Sequence, residues 1–168
     1  MNTISIIIGN VCSLLAMLTD SISSTRKTTK GVLMVQNLSQ VIYCTGTIVL
    51  KGYSGAVQNA VSILRNFVAI KKVNNKAVEW FLAALGVVLG LCFNNLGVLG
   101  LLPVVANLQY TLCVFRFKDN ERALKISFLI CIAMFAVFNL VIYNVVGTIS
   151  NLVVLITTLI AVLKTKKS

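Results

Sequence analysis

GAVQNAVSILRNFVAIKK, Gly55–Lys72, is the stretch whose reading decides the fold. It has the apolar content of a membrane helix, yet it carries Gln58, Asn59, Ser62, Arg65 and Asn66. Near the C-terminus, 92 positions on, stands GTISNLVVLITTLIAVLK, Gly147–Lys164. Gly55 aligns with Gly147, Asn59 with Asn151, Val61 with Val153, Ala69 with Ala161 and Lys72 with Lys164. One reading is a duplicated transport fold. The other is two membrane helices that are merely alike.

The surrounding composition sets the class. The chain has 168 residues, 58% hydrophobic and 11% charged, with a mean hydropathy of +0.94. That is the balance of a membrane protein. Backbone polar groups must be satisfied internally in lipid, so spans are helices or closed barrels. Long apolar runs without period-2 alternation select helices. The formal charge of +11 is read as the basic bias of cytoplasmic loops rather than as a nucleic-acid surface.

Seven segments follow. They are helix 1 at about Ile4–Ile22, helix 2 at Gly31–Leu50, helix 3 at Ser54–Ile70 and helix 4 at Val78–Phe93. Helix 5 runs at about Val98–Phe115, helix 6 at Ile126–Tyr143 and helix 7 at Val145–Leu163. Met1–Leu18 lacks a positive leading segment, so it is expected to stay as the first helix. An outside N-terminus places Arg26, Lys27, Lys30, Lys71, Lys72, Lys76, Arg116, Lys118, Arg122, Lys125, Lys164, Lys166 and Lys167 inside. The outer loops then hold Lys51, and Arg65 is the basic residue within a helix. An odd number of spans agrees with a cytoplasmic C-terminus.

At the 92-residue offset, helices 1, 2 and 3 align with 5, 6 and 7, and helix 4 is left over. The inserted helix keeps the two triplets parallel, a recognised transporter plan. The expected fold is an all-α membrane protein of seven transmembrane helices. Two parallel three-helix repeats, residues 1–72 and 98–168, flank a linker helix in 73–97.

Polar residues within the spans are the candidates for function. Asn59 and Asn151 each lie four residues after the repeated glycine. They either meet a neutral polar solute or tie helices together. Gln36, Gln40, Tyr43 and Thr47 share one face of helix 2, and Ser127, Cys131, Asn139 and Tyr143 line helix 6. Such faces point inward, to a path or to a hydrogen-bonded seam. Arg65 lies about 10 Å deeper than Lys72 at 1.5 Å per residue. It is expected to snorkel to the inner interface, to pair with Asp20 or Glu79, or to serve as an inner-gate residue or an anion contact. Pro103 is a candidate hinge of helix 5, Gly86 and Gly90 a candidate oligomer contact, and Trp80 an interfacial anchor.

Enzyme chemistry is not expected. There is no His, no paired carboxylate motif and no phosphate-binding loop. The five cysteines lie in apolar runs with no C-x-x-C pair, so neither a cofactor nor a metal is expected. The expected partners are the lipid bilayer, a small polar solute and a second copy of the chain, with no nucleic acid.

QNLSQVIYCTGTIVLKGYSGAVQNAVSILRNFVAI, Gln36–Ile70, resembles the first half of the bacterial inner-membrane family called YgjV. The likeness rests on Gln36, Gly55-Ala56, Asn59 and the Arg65-Asn66 pair. LLPVVANLQYTLCVFRFKDNERALKI, Leu101–Ile126, resembles its second half through Pro103 and the basic loop. The 3+1+3 plan is similar to SWEET-like and PnuC-like transporters. That similarity implies uniport of a small neutral polar solute, such as a sugar or riboside, by alternating access between the triplets. It also implies that Asn59 and Asn151, on the third helix of each unit, contact the solute. The rival expectation is a non-transporting structural or assembly protein of the inner membrane.

Overall fold

The computed structural model describes residues 2–24, 29–71, 73, 75–117 and 121–165. Side chains at a further set of helical positions, Asp20, Glu121 and Arg122 among them, lie outside the described residues. Among the described residues the chain is helical throughout: α1 (Thr3–Ser24), α2 (Thr29–Val49), α3 (Tyr53–Ile70), α4 (Lys76–Cys92), α5 (Leu102–Arg116), α6 (Glu121–Val141) and α7 (Val145–Thr165). A 3₁₀ turn, Gly97–Leu101, leads into α5.

Local chemistry explains the ends. Asn75 precedes α4 in an extended conformation, and its side chain accepts from Ala77 N–H at 2.8 Å. Such a cap satisfies one of the orphan donors of a first turn. Asn144 does the same for α7, accepting from Gly147 N–H at 3.0 Å. α6 begins at Glu121, five residues earlier than the apolar run indicates. Glu121, Arg122, Ala123, Leu124 and Lys125 are all strong helix formers, so the charged segment propagates the helix.

The α2–α3 and α6–α7 turns have the same backbone. Lys51 and Tyr143 both sit at φ 59°. Lys51 N–H donates to the Ile48 carbonyl and Gly52 N–H to that of Thr47, at 2.9 Å each. Tyr143 N–H donates to Leu140 at 3.1 Å and Asn144 N–H to Asn139 at 2.8 Å. Each pair is a Schellman motif. The two stand 92 positions apart, as do both ends of α2 and α6, the starts of α3 and α7 and the ends of α1 and α5.

Packing closes six helices into a ring in the order α1, α2, α3, α5, α6, α7, with α4 laid against α3 and α5. Two asparagines clasp the turns across the ring. Asn10 Nδ2 donates to the Tyr143 carbonyl at 3.1 Å, and its Oδ1 accepts from Val146 N–H at 2.9 Å. Asn95 Nδ2 donates to the Lys51 carbonyl at 2.7 Å. Under the clasps Leu50, Phe138 and Ile142 pack with Leu96 and Leu102 and seal this end of the ring. Phe138 lies so close over Gly55 that a Cβ there would collide with the ring.

Pro103 occupies the first turn of α5 and is fully buried. The missing N–H there is an orphan in any helix, so the proline starts α5 without removing one of its hydrogen bonds. Gly86 and Gly90 are buried and face inward. A Cβ on Gly90 would lie 2.5 Å from Val104 and 2.6 Å from Gln58 Nε2. The small residues therefore let α4 approach its own chain, and no face of that stripe is left for a second copy.

The partition of residues is inverted relative to a water-soluble protein. Among the described residues, 17 of the buried side chains are polar or charged and 14 are hydrophobic. The exposed surface is meanwhile crowded with Ile, Leu, Val and Phe from every helix. An apolar exterior over a polar interior suits a lipid solvent. Among the described residues no helix is long and apolar enough to cross a membrane. α3 is loaded with Gln58, Asn59, Arg65 and Asn66, and α4 and α5 have only 17 and 15 residues.

Candidate functional site

The polar residues of α3 occupy two arcs. Tyr53, Ala60, Leu64 and Phe67 are exposed and mark the outer side. Gln58, Ser62 and Arg65, at i, i+4 and i+7, point at α5 and α4 and are buried. Their counterpart is Asn107 on α5. Asn107 Nδ2 donates to Gln58 Oε1 at 2.8 Å and to the Gln58 carbonyl at 3.4 Å. Its Oδ1 accepts from Arg65 Nη1 at 2.9 Å and from Ser62 Oγ at 3.3 Å. Gln58 Nε2 donates onward to the Gly86 carbonyl of α4 at 2.8 Å. One amide pair thus ties three helices, and the crevice they enclose leaves no space for a water molecule.

Arg65 is 8% exposed. Beyond Asn107 it reaches Thr111 Oγ1 at 3.4 Å, and its guanidinium lies 5.0 Å from the centre of the Tyr110 ring. Tyr110 in turn packs on Phe128 at 5.5 Å. The expected pairing with Glu79 is not made. Glu79 is held by Arg116, whose Nε lies 3.4 Å from Oε1 and whose guanidinium stacks on Trp80 at 5.4 Å. The contact is an ion pair without hydrogen-bond geometry, since Oε1 has no hydrogen-bond partner. Arg116 captures the acid because both stand at the same end of the α4–α5 contact, whereas Arg65 is turned to the seam. Asp20 lies in α1 with its side chain outside the described residues.

The other candidates lie on the sheltered side of their helices. Met34, Leu38, Val41, Thr45 and Ile48 are the exposed edge of α2. Gln36, Gln40, Tyr43 and Thr47 occupy the opposite edge, as the spacing predicts, and are half-buried or buried. Gln40 Oε1 and both amide atoms of Asn37 are buried with no hydrogen-bond partner. Asn59 and Asn151 are half-buried, each on the arc opposite the exposed residues of its helix. Asn139 is buried, but its Oδ1 accepts from Asn144 Nδ2 at 3.1 Å, so it serves the α6–α7 turn.

A family model described as a bacterial inner membrane protein matches residues 7–168. The chain belongs to the Imp-YgjV family. No curated protein and no solved structure matches it. In this member of Imp-YgjV the Arg65-Asn66 pair and Pro103, which carry the resemblance, fall on the α3–α5 side of the ring. Gln58 and Ser62 were legible only as polar load on helix 3 and Asn107 only as polarity on helix 5, and Thr111 was not singled out. The signal was present in two polar stripes, Gln58-Ser62-Arg65 and Asn107-Tyr110-Thr111. Only the ring order says that the stripes face each other.

Proposed function

We propose that the chain crosses the inner membrane seven times, as two parallel triplets joined by α4, and moves a small polar solute by alternating access. The observation that carries this reading is the unpartnered amides of α2. Buried amides in a bundle that is merely structural find partners, as Asn107 and Asn139 do. Asn37 and Gln40 have none on their buried atoms, and an unpaired buried polar group costs about 1–3 kcal/mol. A solute with hydroxyl or amide groups is the occupant that would offset that cost. Asn59 and Asn151 are the second support: equivalent positions, half-buried, on sheltered arcs.

Crossing is supported by the inverted partition, by the family's description as an inner membrane protein, and by helix length. α1, α2, α6 and α7 have 21 or 22 residues, about 32 Å at 1.5 Å per residue, the thickness of a bilayer core. The loop charges favour an outside N-terminus and a cytoplasmic C-terminus. In that orientation the Leu50–Phe138–Ile142 cluster closes the outer end, the arrangement of an outward-sealed carrier. A sugar or riboside fits amide recognition. The reading assigns no enzymatic step and no cofactor to the chain.

The test is liposome uptake with Asn37→Leu and Asn59→Ala. Asn37→Leu is expected to raise the melting temperature, because it removes two unpaired atoms, and to reduce flux. Asn59→Ala is expected to leave stability nearly unchanged and to reduce flux. Folded wild-type protein that moves nothing in a broad panel of sugars and nucleosides would instead favour a structural role. The fully paired Gln109–Ser127 contact, with bonds of 2.8 and 2.9 Å, is of the kind that role predicts.

A further inference from the structure

The Arg65 guanidinium is more than a tie between helices. A guanidinium carries five N–H donors, and the hydrogen bonds of Arg65 run from Nη1 alone, to Asn107 and Thr111. Nη2 and Nε find no acceptor among the described residues. Both acceptors in use are neutral. The titratable groups that act on Arg65 are Tyr110 and Cys131, and neither is a carboxylate. Glu79, one of the two acids expected beside it, is taken by Arg116, and the Asp20 side chain lies outside the described residues.

A full positive charge that is nine-tenths buried with no carboxylate partner among the described residues is costly, and such residues in membrane bundles mark ligand or ion sites. The face of Tyr110 orients the guanidinium and gives partial compensation. The free edge of the fork is left to bind. Its geometry matches two oxygens of a carboxylate or phosphate. The position also fits a moving part, because Arg65 stands on α3 of the first triplet and its partners stand on α5 of the second.

We propose that Arg65 is an oxyanion-binding group, which takes a carboxylate or phosphate through Nη2 and Nε. That the oxyanion belongs to the transported solute rests on the transport reading above, and it narrows the solute from a neutral polar molecule to one with an acidic group. The anion takes the free Nη2 and Nε, so the Nη1 bonds to Asn107 and Thr111 stay in place while it neutralises the charge.

The experiment uses full-length protein in nanodiscs of phosphatidylcholine, titrated with inorganic phosphate or acetate against chloride at constant ionic strength. Wild-type protein is expected to show a saturable rise in melting temperature with the oxyanions. In Arg65→Gln the apparent affinity is expected to fall by about tenfold or more, with Arg65→Lys in between, because a point charge replaces a fork. Arg65→Lys keeps the charge and keeps the test open if Arg65→Gln does not fold, and Thr111→Val, which spares Nη2 and Nε, is expected to change the affinity by less than about twofold. An equal response from wild type and Arg65→Gln overturns the proposal, as does a folded wild type with no response. A shift produced by phosphatidylglycerol discs alone, with none from phosphate or acetate, overturns it in favour of a lipid headgroup. Saturable flux of a neutral sugar that persists in Arg65→Gln, with no oxyanion binding, sinks this inference and leaves the transport reading standing.

Discussion

Between α3 and α5, four hydrogen bonds converge on Asn107, and α4 lies over the contact. Between α7 and α1, the corresponding contact 92 positions away, Ser150 occupies the place of Gln58, Leu15 that of Asn107 and Thr157 that of Arg65. There Ser150 Oγ donates to the Val146 carbonyl at 2.8 Å, and lies 2.9 Å from the Met17 sulfur. Thr157 and Thr19 donate to carbonyls of their own helices, at 3.0 and 2.8 Å. One seam is knotted by side chains that reach across it. In the other, apart from the Asn10 clasp at one end and the Ser150–Met17 contact, these polar groups bond within their own helices. The element bounds match at this offset while the side-chain chemistry differs. Equivalent helices therefore do not make equivalent interfaces, and the knotted seam is the place to look for recognition.

The largest effect that would break this contrast comes from α4. Gly90→Leu forces a side chain into Val104 and Gln58 and should destabilise by about 3 kcal/mol, read by thermal unfolding in detergent. A change of only a few tenths would mean that α4 does not seat on the seam. Next is Asn107→Ala, which strands Gln58 and Arg65 together and should cost about 2 kcal/mol. Ser150→Ala at the matching position of the other seam should cost less than about 0.5 kcal/mol. Equal losses from the two would erase the distinction between knotted and local seams.

Two further pairs sharpen the likeness. Asn10→Ala and Asn95→Ala each remove a clasp on a positive-φ turn and should cost about 1 kcal/mol apiece. A large effect from one and none from the other would show that only one turn depends on its clasp. The smallest expected effect is a gain. Lys51→Gly and Tyr143→Gly relieve a left-handed backbone at a helix C-terminus, and each should stabilise by about 0.5–1 kcal/mol.

Much of this was legible in the chain. The apolar runs marked all seven helices, because each must hide its backbone in its own hydrogen bonds. The helix-2 stripe Gln36, Gln40, Tyr43 and Thr47 was readable as one face, because period 3.6 is a local property. The first-turn place of Pro103 was not legible, since the apolar pattern runs through Leu101 and does not register the change from 3₁₀ to α. The partner of Arg65 was not legible either. Charge and depth pointed to Asp20 or Glu79, and Glu79 went to Arg116, because a guanidinium binds what faces it. Asn107 lies 42 residues away on another helix.

Gly55–Lys72 divides the two kinds of information. By itself the sequence determined that this stretch is a helix too polar for a plain lipid anchor, that some of its residues recur 92 positions later, and that its arginine is anomalous. Those are consequences of composition, periodicity and spacing, which act within a few turns of chain. Tertiary structure alone decided that Gln58, Ser62 and Arg65 meet Asn107 while Asn59 is turned to the sheltered side of the ring. Neighbouring positions on a helix differ by about 100°, so ring order and helix rotation assign the partner of each side chain, and neither is written locally.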